Sequence, residues 1–490
     1  MKFDFVGRTQ ELEVLDALWR RDGAQLLVLY GRRRVGKTAL LTHWLQTRQA
    51  HVLYWSAAPT SAAAQLRSFS QAVYNFANPE LPAPASFSYA TWEQAWSQVA
   101  SLARLRRLVL FLDEFTYLLQ VEPGIAGQLQ NLWDHVLSRT DLLLCLSGSH
   151  LGMMKREFLS YQAPLYGRAT GQLYLRPLSF GLTSQIFTRY TAVDRVAIYA
   201  LFGGIPAYWE LLDTALSISQ NIRLQLLTST HLMQVEPRLL LQDFIAEPHN
   251  YMAVMAAIAN GARTPLQIAN ETGIPNVQVP KYLSVLNDAG FVERRVPVTD
   301  RGASRLGRHH IIDPYLRFYF RFLASRQDQL ALGIQDQALA EITRHLIDFI
   351  GTHTWEELCR EWVLRASAHD ALPFLPDQVG SAWNRQAQVD VVGINWMQKT
   401  LILGECKWTL EPVERSTLVE LTAKIGKIAP PEGTWRVFLV GFSRSGWSRG
   451  AAAYQAEIMN EPATGANWRT VGVRLLDLAD VDRDLTAWSL

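Results

Sequence analysis

A glycine-rich segment near the N-terminus holds the residue types that bind nucleotide phosphates. Gly31 and Gly36 bracket a short loop, and Lys37 and Thr38 follow directly. An apolar run over 26–30 precedes the loop. The glycines allow backbone N–H groups to turn inward around the β- and γ-phosphates, the lysine adds a positive charge, and the threonine hydroxyl suits Mg²⁺. The spacing therefore predicts a strand, a phosphate-binding loop and a helix. The predicted nucleotide-binding residues of the loop are Gly31, Arg32, Arg33, Arg34, Val35, Gly36, Lys37, Thr38 and Ala39.

A pair of carboxylates, Asp113 and Glu114, ends a second apolar run. Asp113 is predicted to hold Mg²⁺ through water, opposite Thr38, so these two residues are the expected metal ligands. Glu114 is predicted to be catalytic, because it would orient and polarise the water that attacks the γ-phosphate. Together the two motifs predict ATP and Mg²⁺ as cofactors.

Three polar residues further along are candidates for sensing the nucleotide. A strand pattern over 142–146 leads into Ser147 and Ser149, either of which could contact the γ-phosphate or cap the next helix. Arg168 could act as an arginine finger, in cis or in trans, or form an ordinary ion pair. A finger in trans would make the protein a homo-oligomer.

A second cluster of charged residues is predicted near the C-terminus. Asp390 lies in one strand pattern, and Glu405 and Lys407 are two residues apart on the next, so that both point to one face. Glu357, on an amphipathic helix pattern, is expected to join them as a further catalytic residue. Asp390 and Glu405 are the predicted ligands of a Mg²⁺ ion that lowers the pKa of a bound water, which Lys407 would position. The alternative is an ordinary ion pair on a strand.

The elements that must position these residues fall into four predicted units. Residues 1–183 form an ATPase core, 184–245 a helical lid, 246–322 a winged helix-turn-helix and 323–490 a C-terminal α/β domain. Three helix patterns followed by a hairpin define the third unit. Its arginines suit contacts with DNA phosphates, although such units also mediate contacts between domains. The candidate contact residues are Asn276, Gln278, Lys281, Tyr282, Ser284, Arg294, Arg295, Arg301, Arg305 and Arg308.

Composition places the chain among folded proteins. Of its 490 residues 49% are hydrophobic and 19% are charged, and the formal net charge is +2, which argues against disorder and against a globally basic nucleic-acid binder. The three cysteines are far apart, so they give no disulfide framework and favour the cytoplasm. No apolar run approaches the length of a membrane span, and no membrane contact is expected.

Six short motifs resemble those of a known family of ATPases. FVGR, GRRRVGKT, LFLDEF, LSGS, PLYGR and GGIPAY are similar to the archaeal-type AAA+ ATPases of the STAND-like branch, which also occur in bacteria. The resemblance implies a Mg²⁺-dependent, ATP-binding module with a five-stranded parallel sheet and a helical lid. Members of that family carry a restriction-endonuclease-like domain at the C-terminus, and Asp390 with the motif ECKW resembles its D…ExK pattern. Val389 replaces the usual proline, and a fold retained without its nuclease activity is the alternative.

These features predict one overall organisation. The fold class is α/β, a P-loop NTPase of the AAA+ type with a helical lid, a winged helix-turn-helix and a C-terminal restriction-endonuclease-like domain. The predicted function is ATP hydrolysis coupled to a Mg²⁺-dependent DNA nuclease. Two alternatives stay open: a regulatory ATPase whose C-terminal domain binds DNA or protein without cutting, and a DNA-remodelling ATPase.

Overall fold

Five parallel strands carry the phosphate-binding loop. The computed structural model describes residues 3–48, 50–228, 231–242, 245, 248–302 and 304–489. The strands of the first sheet are β1 (Gln25–Tyr30), β2 (His51–Ser56), β3 (Leu108–Asp113), β4 (Leu142–Gly148) and β5 (Gly171–Tyr174). They lie in the order β2, β3, β4, β1, β5 and all pair in parallel, which confirms the expected five-stranded parallel sheet. The middle residues of β1, β3 and β4 are apolar and buried because both faces of these strands are covered.

Helices cover this sheet, and their first turns begin where the sequence provides caps. The hydroxyl oxygens of Ser61 and Thr91 accept hydrogen bonds from the backbone of the helices that they precede, which satisfies N–H groups that would otherwise lack partners. The helices of this region are α1 (Thr9–Arg20), α2 (Lys37–Gln46), α3 (Ala62–Ala77), α4 (Trp92–Leu105), α5 (Thr116–Val121), α6 (Ile125–His135) and α7 (Leu151–Met154).

Short helices follow in the segment expected to form a lid. They are α8 (Thr183–Ile186), α9 (Ala192–Phe202), α10 (Pro206–Trp209), α11 (Ile218–Asn221) and α12 (Leu232–Gln242). Gly203 ends α9 with a φ of +58°, a left-handed conformation that favours glycine. Pro206 starts α10, where its missing N–H costs nothing. The glycine–proline turn therefore reverses the chain against the sheet. The predicted boundary after residue 245 falls beside residues 246 and 247, which lie outside the described ranges.

Three helices and a two-stranded hairpin come next. They are α13 (His249–Ala259), α14 (Pro265–Thr272), α15 (Val279–Asp288), β6 (Val292–Arg295) and β7 (Arg308–Ile311). Thr264 and Gln267 form a reciprocal capping box at the start of α14, as their spacing predicts. Pro280 lies in the first turn of α15, so it does not interrupt that helix.

A second, mixed sheet forms the C-terminal region. Its elements, with the helices that precede it, are α16 (Pro314–Phe318), α17 (Gln327–Ala331), α18 (Gln335–Phe349), α19 (Glu356–Ala368), β8 (Gln378–Trp383), β9 (Gln388–Asn395), β10 (Thr400–Lys407), α20 (Arg415–Ile428), β11 (Trp435–Ser443), α21 (Arg449–Asn460), β12 (Trp468–Asp477) and α22 (Leu478–Ala487). The order is β12, β11, β10, β9, β8, with β10 to β12 parallel and β8 to β10 antiparallel. Four stretches continue helices as π-helical turns, at Lys155–Leu159, Ile222–Leu226, Tyr319–Leu323 and Ile350–Trp355. None of the helices in the described ranges is long and apolar enough to cross a lipid bilayer.

One hydrophobic core joins most of these units. It extends from Leu15 beneath the first sheet, through the lid and the three-helix segment, to Leu485 near the C-terminus. The last helix, α22, returns to the lid, where Asp482 pairs with Arg195. The predicted boundary at 322/323 therefore does not divide the core. A smaller core lies under α20 and α21 on the second sheet.

The turn at Gly204 gives a test of this packing. A Cβ atom at Gly204 would lie 1.9 Å from the carbonyl oxygen of Leu178, whose N–H donates to the Gly204 carbonyl at 2.7 Å. We expect Gly204→Ala to lower the free energy of unfolding by about 2 kcal/mol or more, because backbone must move. Gly127→Ala, in α6 with no atom within 4 Å of the new methyl, should raise it by about 0.5 kcal/mol. Urea denaturation measures both, and equal effects would contradict the prediction.

Candidate functional site

The phosphate-binding loop leaves β1 and enters α2 with its lysine buried. Gly36 has a φ of +97°, and Lys37, the first residue of α2, is 5% exposed. The Lys37 ammonium donates to the carbonyl oxygens of Gly31 at 3.1 Å and Arg32 at 3.4 Å. Burial lowers the pKa of Lys37, and the carboxylates of Glu114 and Asp113 oppose that shift. The loop thus holds its cation on backbone oxygens.

The residues predicted to hold Mg²⁺ are in contact with each other. The Thr38 hydroxyl donates to Asp113 Oδ2 at 2.7 Å, and the Tyr54 hydroxyl reaches the same oxygen at 3.3 Å. The Glu114 N–H donates to Asp113 Oδ1 at 3.0 Å. A hydroxyl and a carboxylate side by side are the hard oxygen donors that Mg²⁺ prefers, so Thr38 and Asp113 fit this ion. Tyr54, on the exposed edge of β2, was not predicted.

Glu114 is held by the residue that follows β4. The Ser149 N–H and hydroxyl donate to Glu114 Oε2 at 3.2 and 2.7 Å, while Glu114 Oε1 lies 4.0 Å from the Lys37 ammonium. Glu114 has a φ of +48°, an uncommon conformation for a side chain with a Cβ atom. The Ser147 hydroxyl, in contrast, is fully buried and has no hydrogen-bond partner. Of the two serines, the structure brings Ser149 to the site.

The three loop arginines, which we expected to bind nucleotide, point to the rest of the protein. Arg32 pairs with Asp313 at 2.8 Å and donates to the Tyr208 hydroxyl at 3.0 Å. Arg34 pairs with Glu236 at 2.6 Å, and Arg33 donates to the Tyr117 hydroxyl at 2.9 Å. These side chains therefore contact protein groups, as a partly buried guanidinium requires, and their part in binding nucleotide stays a prediction. The other two loop residues expected to bind nucleotide are Val35, whose carbonyl oxygen accepts from Arg8 at 3.1 Å, and Ala39, whose side chain is exposed.

The partners of the loop arginines could not be predicted from motif spacing. Glu236 and Asp313 are 1% and 7% exposed, and each lies more than 190 positions beyond the loop. The available signal is an acidic residue within an otherwise apolar or aromatic stretch, because a carboxylate there needs a cation.

Arg168 forms an ion pair at the protein surface. Its guanidinium donates to both carboxylate oxygens of Asp134 at 2.7 Å, and this bidentate pair raises the pKa of Arg168 and lowers that of Asp134. The ion-pair alternative thus describes Arg168 in this chain. A contact with a neighbouring subunit's nucleotide stays a prediction.

The C-terminal cluster assembles on β9 and β10. These strands pair in antiparallel fashion up to Gly404 and Val391, which puts Asp390 beside Glu405. The Lys407 ammonium pairs with Glu405 Oε1 at 2.9 Å, and the Cys406 N–H donates to Asp390 Oδ2 at 3.2 Å. Burial, together with the Glu405 charge, raises the pKa of Asp390. The structure thus brings Asp390, Glu405 and Lys407 together.

Lys424 of α20 is a further member of this cluster. Its ammonium pairs with Glu405 Oε2 at 2.9 Å, so that both oxygens of Glu405 have a lysine partner. In the residues that the structure describes, no group of three or more His, Cys, Asp or Glu side chains is arranged to hold a metal ion.

Glu357 does not join the cluster, and its neighbour Glu356 takes that position. Glu357 pairs with Arg317 at 3.0 Å and Arg295 at 3.1 Å. Burial alone would raise the pKa of Glu357, but these two guanidinium groups lower it to about 2. Burial and the charge of Asp390 raise the pKa of Glu356 to about 7. Arg360 connects Glu356 to Asp390, because its guanidinium donates to the Glu356 carboxylate at 3.3 Å and to the Asp390 backbone carbonyl at 2.9 Å.

Several hairpin arginines contact the second sheet. Arg301 lies 4.1 Å from the ring centre of Trp396, and Arg308 lies 4.5 Å from that of Trp383. The Val298 N–H donates to a carbonyl of β8 at 3.1 Å. These contacts fit the alternative in which the unit joins domains. The exposed residues of the predicted DNA-contact set are Asn276, Gln278, Lys281, Ser284, Arg294, Arg301 and Arg305.

Comparison with known proteins assigns the N-terminal region. Residues 5–212 match the model of an ATPase domain predominantly from Archaea, and residues 319–418 match a family of archaeal and bacterial proteins of unknown function. An uncharacterized protein of Methanocaldococcus jannaschii is 28% identical over 412 residues, which cover 82% of this chain and 87% of that protein. An uncharacterized ATP-binding protein of the same organism is 49% identical over 45 residues, or 9% of this chain and 76% of that protein.

A solved structure agrees with this assignment at the level of the fold. The Walker-type ATPase of Pyrococcus abyssi matches with a TM-score of 0.50 and 17% identity, covering 65% of this chain and 96% of that one. The chain therefore contains an archaeal-type P-loop ATPase domain, and the prediction of an ATPase is confirmed.

Substitution of the two serines separates their roles. Ser149→Ala removes the hydroxyl that donates to Glu114, so the carboxylate is oriented less well. We expect kcat for ATP hydrolysis to fall by about tenfold or more. Ser147→Ala removes a hydroxyl without partners and should leave kcat within about twofold. Phosphate release at saturating ATP and Mg²⁺ measures both variants. A larger loss in Ser147→Ala would show that the buried hydroxyl is the one that acts.

The raised pKa of Glu356 predicts how stability depends on pH. The pKa of Glu356 is about 7 in the folded protein, above its ordinary value of 4.5. The protonated carboxyl therefore contributes its full stabilisation below pH 4.5, and this contribution is lost as the pH rises through 7. In EDTA, the free energy of unfolding of the wild type should fall by about 3 kcal/mol more than that of Glu356→Gln between about pH 4.5 and 8. Denaturation at each pH measures the difference. Glu457→Gln, at an exposed ion pair with Arg415, is the control, and parallel curves for Glu356→Gln and wild type would refute the shift.

Proposed function

We propose that this ATPase controls a Mg²⁺-dependent DNA nuclease in its own C-terminal region. The observation that carries the proposal is the convergence of Asp390, Glu405 and Lys407 on adjacent strands, with Glu356 facing Asp390. Two carboxylates beside a lysine are the groups needed to cleave a phosphodiester. Mg²⁺, when bound, supplies a water of lowered pKa and neutralises negative charge.

The residues of the cluster have distinct parts in this proposal. Asp390 and Glu405 would offer oxygen ligands to the ion. Lys407 and Lys424, which pair with Glu405, would turn to the phosphate or to the attacking water. Their positive charges also favour a polyanionic substrate over a neutral one.

The ATPase half uses the groups around the phosphate-binding loop. Lys37 binds the β- and γ-phosphates, and Thr38 and Asp113 would hold Mg²⁺. Ser149 orients the Glu114 carboxylate, which accepts the proton of the attacking water. DNA would lie along the exposed face of α15 and the tip of the hairpin. Arg168 would reach the nucleotide of a second subunit only after release from Asp134.

A second candidate function is favoured by one observation. Both oxygens of Glu405 are paired with lysines, so protein groups already balance the charge of this carboxylate. A C-terminal domain with such a cluster would bind DNA or protein and be regulated by ATP, without cleaving anything.

A plasmid assay distinguishes the two. Purified protein with supercoiled DNA, Mg²⁺ or Mn²⁺, and ATP should produce nicked or linear DNA. Asp390→Ala and Lys407→Ala should lower the rate by about 100-fold or more, since each removes a ligand or a charge at the reacting phosphate. Glu457→Gln, on the same domain but at an exposed pair, is the matched control and should cleave like the wild type.

Two results would contradict the nuclease. Cleavage that survives Asp390→Ala, Glu405→Ala and Lys407→Ala would come from another site or from a contaminant. The absence of product under every condition, in a preparation that hydrolyses ATP, would favour the non-cleaving candidate. Lys37→Ala, which removes the phosphate-binding cation, should abolish hydrolysis and thus show that the measured ATPase belongs to this protein.

A further inference from the structure

A buried ion pair connects the phosphate-binding loop to the segment that leads into the C-terminal region. Arg32 and Asp313 meet at 2.8 Å, and their side chains are 16% and 8% exposed. Burial would lower the pKa of Arg32, but Asp313 and its other neighbours raise it, which is the sign of a strong charge pairing. Because neither group is well solvated, loss of either partner leaves a buried charge behind.

The loop end of this connection is in direct contact with the phosphate-binding lysine. The Lys37 ammonium donates to the Arg32 carbonyl, so the same residue that holds Asp313 by its side chain holds Lys37 by its backbone. A bound phosphate takes that ammonium as its own partner. The ammonium group has three N–H donors, so a phosphate would compete with the Gly31 and Arg32 carbonyls for them, and the restraint on the Arg32 backbone would change with nucleotide occupancy.

The far end of the connection is helix α16. Asp313 caps that helix, accepting from the Leu316 N–H at 2.9 Å, and Arg317 lies one turn further on. Arg317 is 5% exposed and donates to Glu357 of α19 at 3.0 Å. A movement of Asp313 would therefore displace the partner of a half-buried carboxylate in α19.

Helix α19 extends the connection to the C-terminal cluster of Asp390, Glu405 and Lys407. Arg360 of this helix donates to the Glu356 carboxylate at 3.3 Å and to the Asp390 carbonyl at 2.9 Å, so α19 contacts the strand that carries Asp390. A cavity of about 450 Å³ borders Arg32, Asp313 and Glu357. It provides space into which these side chains can move, whereas a close-packed core would resist the change.

We propose that the two ion pairs, Arg32–Asp313 and Arg317–Glu357, transmit nucleotide occupancy of the phosphate-binding loop to α19 and thereby to Asp390. The consequence for cleavage rests on the proposed nuclease, but the movement of α19 does not. The coupling is reciprocal, so whatever stabilises one arrangement of α19 changes nucleotide affinity by the same factor.

Asp313→Asn is the variant that tests the coupling. Asparagine also caps helices well, so α16 keeps its first turn while the charge opposite Arg32 is removed. The matched control is Asp482→Asn, which removes a comparably enclosed carboxylate from its pair with Arg195 and leaves the Arg32–Asp313 and Arg317–Glu357 pairs intact. Circular dichroism and the affinity for a β,γ-imido analogue of ATP establish that both variants fold and bind nucleotide.

Hydrogen–deuterium exchange of peptides from α19 and β9, with and without the imido analogue and Mg²⁺, is the measurement. In the wild type and in Asp482→Asn, nucleotide should change the exchange rate of α19 by about fivefold or more. In Asp313→Asn, with nucleotide bound, the change should disappear. An unchanged response in Asp313→Asn, or no response of α19 in nucleotide-bound wild type, would overturn the proposal.

The cleavage assay separates this proposal from the one on which it builds. If the wild type cleaves DNA, Asp313→Asn should keep the nucleotide-free rate and lose the effect of nucleotide. If the wild type cleaves nothing, the nuclease is refuted, and the exchange measurement still decides whether the ion pairs couple the two regions.

Discussion

Three successive arginines on a buried phosphate-binding loop impose the main constraint on this structure. Guanidinium groups that are partly withdrawn from water need hydrogen-bonding or charged partners, and each of these three arginines contacts a different residue of the chain. The loop therefore draws on different elements: Asp313 before α16, Tyr117 in α5 and Glu236 in α12. Each contact attaches the nucleotide-binding loop to a different part of the chain, and the lid and the C-terminal region are positioned as a result.

Half-buried charged side chains also need partners where the C-terminal region contacts the remainder of the protein. Glu357 lies between Arg317 and Arg295, so one carboxylate of α19 joins α16 to the hairpin. Around these charges the hydrophobic core is continuous from the first sheet to α22. Apolar burial supplies the driving force for this packing, while the ion pairs determine which surfaces face each other. The nucleotide site and the Asp390 cluster are consequently parts of one packed body.

Prediction from sequence succeeded where residues close in the chain are also close in space. The loop, the strand that ends at Asp113 and the pair Glu405 and Lys407 are local patterns with fixed geometry. Glu357 was predicted to join Asp390, but it pairs with Arg317, and Arg360 connects Glu356 to the Asp390 backbone instead. Adjacent helical residues point about 100° apart, and only the packing of α19 determines which of them lies towards Asp390. The partners of the loop arginines depend on long-range contacts, which no local pattern encodes.

The two charged sites share a physical arrangement. In each, a lysine occupies protein oxygens where a ligand would bind: Lys37 holds loop carbonyls near Glu114, and Lys407 holds Glu405. Such partners offset the cost of withdrawing an ammonium group from water. A phosphate or a metal ion at either site would compete with these lysine contacts, so binding would exchange one set of charged contacts for another. The coupling that we propose through Arg32 and Asp313 requires the nucleotide to bind two arrangements of the chain with different affinities, because a ligand shifts an equilibrium only by that difference.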